Sequence, residues 1–411
     1  MKRILLAASL VFLFCGCGTD TIRAAPASEK QNLTVALWDY GKVSYDKRLI
    51  EAFESENPGV SVTVISFPDS YYDQKVESLL TSGRQVDVVY LRTSASLQSF
   101  AAQDMLYPVD DFVGETLKSE GVMDELDAMY YQEHPYAIPY RRDRYVLLYN
   151  CDIFDRAGVP YPTDGMSWQQ FQEMARTLQP HLQADEYAVM TLPMNIQWIA
   201  SMNSGPLEQS AEGAEALRPM LELVTQMETE DHSMMPYGDS MAQNIQQRSF
   251  ETGKYGMYLG GTWYLNYLTT DQQAEKFDFH WGVVEQPRWP GQADDSLTAI
   301  MTSIAIGQNA ADPALAWSFI RFVSGKQGAE LMAEEQMMPA YMDDDVAQIY
   351  RSHFQGQSLS EGVMNDRAGR VNAMPTEEHR RWQALAEQVF QDVAVQRITV
   401  EEGMQQLRAF Q

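Results

Sequence analysis

The chain has 411 residues, of which 45% are hydrophobic, and a formal net charge of -27. A chain of this length exceeds a single ordinary core, so we expect two lobes. The excess of acidic residues would repel nucleic-acid phosphates and anionic membrane surfaces, which excludes a nucleic-acid partner and favours a cationic ligand over an anionic one.

The N-terminus has the pattern of an export signal. Lys2 and Arg3 precede an apolar run, Ile4 to Phe14, that is too short to span a membrane comfortably. The run ends in Phe-Cys-Gly-Cys, which resembles the bacterial lipobox, where the cysteine is lipidated and becomes the mature N-terminus. We therefore predict a signal peptide over 1–16. An ordinary signal peptide and an N-terminal transmembrane anchor are the alternatives.

Lipidation at Cys17 would place the mature chain outside the cytoplasm, held to the cell membrane by its acyl chains. Residues 17–31 would be a polar tether. Removing residues 1–16 also removes two basic residues and changes the net charge from -27 to -29. Cys151 would then have no partner for a disulfide, so we expect it to be a small buried apolar residue.

The first part of the mature chain alternates between strand and helix. Its predicted elements, in order, are a strand at 33–38, a helix at 45–57, a strand at 60–65, a helix at 71–82, a strand at 86–91 and a helix at 94–103. This order predicts a parallel sheet with helices on both faces. Ligands bind beyond the carboxyl ends of such strands, where Trp38, Asp39, Tyr40 and Arg92 lie.

The rest of the chain mixes extended crossings with helices. Pro135–Tyr140 and 283–287 are predicted extended crossings, with the charged run Arg141–Arg144 between the first crossing and a strand at 145–149. A capping box at Ser167–Gln170 opens a predicted helix, and two more helices are predicted at 196–204 and at 211–229. A strand over 253–263 ends in a Gly-rich turn, and another strand is predicted at 300–306. A helix begins at Asp312-Pro313, and a helical tail follows with a capping box at Thr399–Glu402.

Four stretches, in this order, resemble the family 1 extracellular solute-binding proteins of ABC importers, the maltodextrin-binding-protein-like group. They are the first strand with Trp38 and the helix ending in Glu56-Asn57-Pro58-Gly59-Val60; Ser82-Gly83 with 86–90; Ile138-Pro139-Tyr140 through 150 to Ser167-Trp168; and Gly256-Met257 with 260–263, then 303–307 and 316–322. The resemblance covers about residues 32–342.

The resemblance implies an α/β, two-lobed periplasmic-binding-protein-like fold of type II topology. Each lobe would be a mainly parallel sheet flanked by helices, and a multi-strand hinge would join them. The implied division assigns 32–138 with 287–338 to the N-terminal lobe, and 139–286 with 339–411 to the C-terminal lobe. The implied partners are a carbohydrate in the cleft and the transmembrane subunits of an ABC permease. We expect a monomer, and no metal or other cofactor.

Sugar rings pack on flat aromatic faces, and their hydroxyls suit carboxylates and guanidinium groups. The predicted ligand-binding residues are Trp38, Tyr40, Arg92, Arg141, Asp143, Trp198, Trp263 and Tyr341. Asp143, Trp198, Trp263 and Tyr341 come from the family's pattern, in which a small or acidic residue is common at the position of Arg92. Arg92 would fit an acidic sugar. Trp38 could instead be core, and Asp143 could pair with Arg142 or Arg144.

Residues for catalysis are poorly represented, so we predict a binding protein and not an enzyme. The six histidines are isolated from one another in sequence, and neither a nucleophile elbow nor a phosphate-binding loop occurs. Three other functions fit the same features: a binding protein for a cationic solute such as a polyamine, a surface-anchored glycan hydrolase whose carboxylates the fold brings together, and a sensor lipoprotein that transports nothing.

Overall fold

A computed structural model describes residues 30–42, 44–113, 129–192, 211–289, 298–354, 356–364, 370–371 and 377–410. The predicted signal peptide, Cys17, nearly all of the tether, Trp198 and the helix predicted at 196–204 lie outside these ranges. The last residue assigned to the tether, Gln31, begins the first strand. None of the helices in the described ranges combines the length and the apolar character that crossing a membrane requires.

The described strands number thirteen, and we label them in chain order. They are β1 (Gln31–Trp38), β2 (Val60–Phe67), β3 (Val88–Leu91), β4 (Leu106–Tyr107), β5 (Tyr130–Tyr131), β6 (His134–Pro135), β7 (Ala137–Asn150), β8 (Tyr187–Met190), β9 (Tyr255–Gly261), β10 (Trp281–Glu285), β11 (Thr298–Gly307), β12 (Ser358–Leu359) and β13 (Arg370–Val371).

The described α-helices are labelled in the same way. They are α1 (Tyr45–Glu56), α2 (Tyr72–Thr81), α3 (Ser94–Ala102), α4 (Cys151–Ala157), α5 (Trp168–Leu178), α6 (Ala211–Thr229), α7 (Tyr237–Ala242), α8 (Leu265–Gln273), α9 (Pro313–Ser324), α10 (Lys326–Glu334), α11 (Asp344–Ser352), α12 (Glu361–Met364), α13 (Glu377–Ala394) and α14 (Val400–Arg408).

The N-terminal strands and helices follow the predicted alternation. β1 lies between β2 and β3 and pairs with both in parallel, so the carboxyl ends of all three strands meet at one edge of the sheet. Apolar residues of α1, among them Leu49, Ile50 and Phe53, are buried. Both predicted capping boxes also occur, at Ser167 before α5 and at Thr399 before α14.

The charged run Arg141–Arg144 lies inside a strand, where the sequence predicted a segment between a crossing and a strand. β7 is one continuous strand of 14 residues. Its first part, Ala137–Arg144, pairs antiparallel with β11, and its second part, from Tyr145, pairs antiparallel with β9 and β10. Pairing with β11, from Thr302 opposite Arg141 to Ala299 opposite Arg144, keeps the four charged residues extended.

A bulge and a third segment mark the middle of β7. Thr302 of β11 lies opposite Arg141, but the next residue of β11, Ser303, lies opposite Pro139, so Tyr140 is the extra residue of a β-bulge. A segment near residue 339 completes this region, since the Arg142 amide donates to the Met338 carbonyl and the Ala340 amide donates to the Tyr140 carbonyl.

The buried apolar side chains form separate cores on the two sides of this crossing, which define two lobes. The first core contains β1, β3, α1 and α9 side chains, such as Val35, Phe53 and Phe319. The second lobe has two packed groups, one around Trp168 and the helical tail, and the other around Trp281. Cys151 is buried in the former group, as the sequence predicted. Burial raises the pKa of its thiol to about 11.

Candidate functional site: a cleft between the lobes

A cavity of about 700 Å³ opens at the carboxyl ends of β1 and β3 and is bounded by both lobes. The first lobe and the crossing strands contribute Trp38, Asp39, Tyr45, Asp46, Asp69, Arg92, Thr93, Arg141, Asp143, Ile300, Thr302 and Met337. The second lobe contributes Tyr145, Leu192, Asn244, Ile245, Gln246, Gln247, Tyr258, Leu259, Gly260, Trp263 and Tyr267. A space of this size holds a ligand of several rings.

Five of the eight residues predicted from sequence line this cavity together: Trp38, Arg92, Arg141, Asp143 and Trp263. Tyr40 and Tyr341 are not among its lining residues. The Tyr40 side chain is exposed, while the Tyr341 hydroxyl donates to the Asp343 carboxylate, 3.3 Å away, beside the crossing. Trp198 lies outside the described residues.

The alternation of strand β7 selects which of its charged side chains reach the cleft. Arg141, Asp143 and Tyr145 line the cavity. The intervening Arg142 and Arg144 lie on the other face, beside Met338 and Tyr350. Neighbouring residues of a strand point to opposite faces, so a run that reads as one charged block divides into two sets. The sequence allowed Asp143 to pair with Arg142 or Arg144. In the structure it pairs instead with Arg141, which lies two residues away on the same face of the strand.

Asp143 is held by two donors in the floor of the cleft. Arg141 Nε lies 2.8 Å from one carboxylate oxygen of Asp143, and Thr262 Oγ1 donates to the other at 2.8 Å. The Asp143 side chain is 1% exposed and that of Arg141 is 13% exposed. Since Thr262 follows β9, the bond from its hydroxyl ties β7 to the second lobe. The floor of the cleft therefore contains a buried carboxylate that is paired with a guanidinium.

Trp263 lies in the turn after β9, where a glycine makes room for it. A Cβ atom added at Gly261 would lie 2.0 Å from Cζ3 of the Trp263 ring, so the indole packs directly over the glycine. The indole nitrogen donates to Gln247 Oε1 at 3.1 Å, and the ring contacts Tyr145 edge-on at 5.6 Å. Three contacts thus fix the orientation of an aromatic face that borders the cavity.

A second aromatic side chain from the same lobe is held by a cation. The guanidinium of Arg248 lies over the ring of Tyr267, 5.1 Å from its centre. Arg248 also pairs with the buried carboxylate of Asp271, which fixes the guanidinium in place. Tyr267 lines the cavity. The second lobe therefore presents two oriented aromatic rings to the cleft.

The first lobe presents Trp38 among tyrosines. The Trp38 ring contacts Tyr72 edge-on at 5.3 Å and Tyr90 at 6.2 Å. The Tyr72 hydroxyl in turn donates to the Ala36 carbonyl at 2.7 Å, which anchors this aromatic layer to β1. Trp38 therefore packs against the core and also lines the cavity.

Arg92 and Asp39 each meet an opposite charge at the edge of the cleft. Arg92 Nε lies 3.1 Å from a carboxylate oxygen of Asp69, and its Nη1 donates to the Asp69 carbonyl at 2.7 Å. Lys42 Nζ lies 2.7 Å from Asp39. Because the guanidinium of Arg92 already pairs with the carboxylate of Asp69, Arg92 does not favour an acidic sugar as ligand.

Asp46 differs from the other carboxylates that line the cavity. It is 3% exposed, and within the described part of the chain its Oδ1 atom has no hydrogen-bond partner. Burial raises the pKa of this carboxyl to about 7, although the nearby Arg141 charge acts to lower it. A buried carboxylate without a donor is unfavourable, so the folded protein retains a proton here that an unfolded chain would release.

This pKa has a consequence for stability. The stabilising contribution of protonated Asp46 is complete below the ordinary pKa of 3.8 and is lost as the pH rises through about 7. We expect the Asp46→Asn variant to become progressively more stable than the wild type as the pH rises from 4 to 7. Urea unfolding of both proteins at each pH measures this, and a constant difference across the range would contradict it.

Sequence reasoning missed several residues of the cleft. Asp69 follows β2, so the same rule that selected Trp38 and Arg92 could have found it. Tyr45 and Asp46 begin α1, where the helical pattern drew attention to the apolar side alone. The run 244–247 lies after α7 in a segment without sheet pairing, and no sequence signal pointed to it.

The arrangement is suited to holding a ligand with hydroxyl groups and ring faces. Aromatic rings border the cavity on both lobes, and charged and amide side chains lie between them. Among the residues that the structure describes, no group of three or more histidine, cysteine or acidic side chains could hold a metal ion.

Residues 40–330 match the family described as bacterial extracellular solute-binding protein, and the chain belongs to that family. Its members are binding proteins for solutes outside the cytoplasm. A binding protein of Brucella abortus is 21% identical over 348 residues, which is 82% of this chain and 82% of the relative.

Solved structures show the same two-lobed α/β fold. A sugar transporter from Rhizobium etli, in an open conformation, has a TM-score of 0.77 and 23% identity, and the match covers 92% of this chain and 98% of that one. An ABC substrate-binding protein from Listeria monocytogenes in complex with cycloalternan has a TM-score of 0.76 and 18% identity, with 92% and 97% covered. The sugar-binding protein MalE of Xanthomonas citri has a TM-score of 0.70 and 19% identity, with 92% and 95% covered.

Proposed function

We propose that this protein is the extracytoplasmic substrate-binding lipoprotein of an ABC importer, and that it captures a carbohydrate, specifically an oligosaccharide. The observation that carries the proposal is the cavity of about 700 Å³ with Trp38 on one lobe and Trp263 on the other. Aromatic faces on two opposed surfaces suit a ligand that has several ring faces, which an oligosaccharide has.

Solved structures of similar proteins also support a carbohydrate as the ligand. Proteins that share the fold include one solved with cycloalternan and one named as a receptor solved with acarbose. Under the proposal, the ligand bridges the lobes and shifts the protein from an open to a closed population. We further propose that the lobes divide at 32–138 with 287–338 and at 139–286 with 339–411, and that the closed form delivers its ligand to the permease.

Isothermal titration calorimetry against a panel of oligosaccharides tests the proposed ligand class. The panel should include maltotriose, mannotriose, cellotriose and xylotriose, with spermidine as a cationic competitor. Saturable binding of at least one oligosaccharide is expected. Tight binding of spermidine with none of the sugars would replace the carbohydrate by a cationic solute, and release of reducing sugar from polysaccharide would identify a hydrolase.

The lipid anchor has its own test. We expect the membrane form of the protein to begin at acylated Cys17, and mass spectrometry of its N-terminal peptide measures this directly. The Cys17→Ala variant should lose the acyl chains and leave the membrane fraction. An unmodified mature N-terminus at another residue in the wild type would contradict the proposed anchor without affecting the ligand.

A further inference from the structure

Among the described residues, four carboxylates line the cleft, and Asp46 is set apart from the others by its surroundings. Asp39 pairs with Lys42, Asp69 pairs with Arg92, and Asp143 is bound by Arg141 and Thr262. Asp46 is 3% exposed, and its Oδ1 atom has no partner in the described ranges of the chain. Leaving such an acceptor unpaired is costly, and a donor supplied by a ligand would remove that cost.

Two further polar atoms lie in the same part of the first lobe. The hydroxyl oxygens of Tyr90 and Tyr140 are buried, and that of Tyr90 has no hydrogen-bond partner among the described residues. The two rings contact each other at 5.1 Å. Burial raises the pKa of both phenols, and negative charge on Asp46 adds to the increase, so both lie within electrostatic reach of that carboxylate.

We infer that Asp46 is a ligand-recognition residue, whose carboxylate accepts a hydrogen bond from a hydroxyl group of the captured sugar. This inference rests on the proposed function and assigns a specific residue to it. The hydroxyl group is favoured over an ammonium group, because the guanidinium of Arg141 lies near enough to Asp46 to act on its ionisation and would repel a second cation.

Capture of the ligand should then be linked to a proton. Burial keeps Asp46 partly protonated near neutral pH, whereas a hydroxyl donor favours the ionised form. The groups that act on Asp46, or on which it acts, are the Arg141 guanidinium and the phenols of Tyr40, Tyr45, Tyr72, Tyr90 and Tyr140. The phenols remain neutral between pH 6 and 8 because burial raises the pKa of each. Asp46 is thus the group of this cluster that titrates there.

The test is calorimetry with the tightest-binding oligosaccharide of the panel, at pH 6 and at pH 8. The ionised fraction of a carboxyl with a pKa of about 7 rises about tenfold over this interval, so we expect the affinity of the wild type to rise about tenfold. The Asp46→Asn variant keeps an oxygen acceptor but cannot ionise. It should bind about tenfold more weakly than the wild type at pH 8, with equal affinity at both pH values.

Asp73→Asn is the matched control. Asp73 also has a buried Oδ1 without a partner in the described chain, but it belongs to α2 and does not line the cavity. This variant should keep the affinity and the pH dependence of the wild type. Sugar binding that Asp46→Asn leaves unchanged would overturn the role of Asp46 while the proposed function stands. Failure of every sugar to bind the wild type would overturn both.

Discussion

Replacing Trp263 by alanine should weaken oligosaccharide binding by roughly 1–3 kcal/mol, which is about 5- to 150-fold in affinity. The expected loss follows from removal of an aromatic face that Gln247 and Tyr145 hold against the cavity. Gly261→Ala should act in the same direction without removing the indole, because the new Cβ would lie 2.0 Å from the present position of its ring. Calorimetry with the best ligand of the panel measures both effects.

Two controls separate a local effect from a general one. Gly59→Ala adds the same methyl group where no atom lies within 4 Å, so its affinity should equal that of the wild type. Tyr161→Ala removes an exposed aromatic ring that does not line the cavity. If Trp263→Ala retains full affinity and a native circular dichroism spectrum, the ligand does not bind against this indole.

The Asp143→Asn variant should lose about 3 kcal/mol of unfolding free energy. Loss of the carboxylate leaves the guanidinium of Arg141 without its ionic partner in the floor of the cleft. The expected value is at the lower end for buried pairs, because the 13% exposure of Arg141 lets solvent reach part of its charge. Urea unfolding at pH 7 measures the loss.

Two further variants test the origin of this loss. Thr262→Val removes one donor to Asp143 but leaves the ion pair, and should cost about 1 kcal/mol. Glu51→Gln removes an ion pair with Lys47 in which both side chains are more than half exposed, and should leave the unfolding curve unchanged. Equal midpoints for Asp143→Asn and Glu51→Gln would show that the buried pair contributes nothing to stability.

Much of the fold could be predicted because local patterns and topology agree in the first lobe. Three apolar strands alternate with helices, which predicts a parallel sheet. Trp38 and Arg92 lie at the carboxyl ends of two of these strands, so both were expected at the same edge of the sheet, where they line the cavity. Trp263 was predicted from the family's pattern, and the Gly-Gly pair before it was expected to let a ligand approach the backbone. The group that approaches Gly261 is the indole itself.

What could not be predicted depends on contacts far apart in the sequence. Arg141–Arg144 has the composition of an exposed loop, and only pairing with β11, more than 150 residues later, makes it a strand with a cleft face. In sequence, Asp46 resembles any acidic residue in the first turn of a helix, where its negative charge interacts favourably with the helix dipole. Its electrostatic neighbours include Tyr90 of β3 and Arg141 of β7, which the local sequence does not contain.

The continuity of β7 has a consequence for inhibitors of such a protein. One half of this strand belongs by its pairing to the first lobe and the other half to the second, and Arg141 and Asp143 lie just before the point at which the pairing changes. A compound that bound these two residues alone would gain nothing from bringing Trp38 and Trp263 together. It would fill the floor of the cleft without favouring closure, and under the proposed function it would block capture of the oligosaccharide.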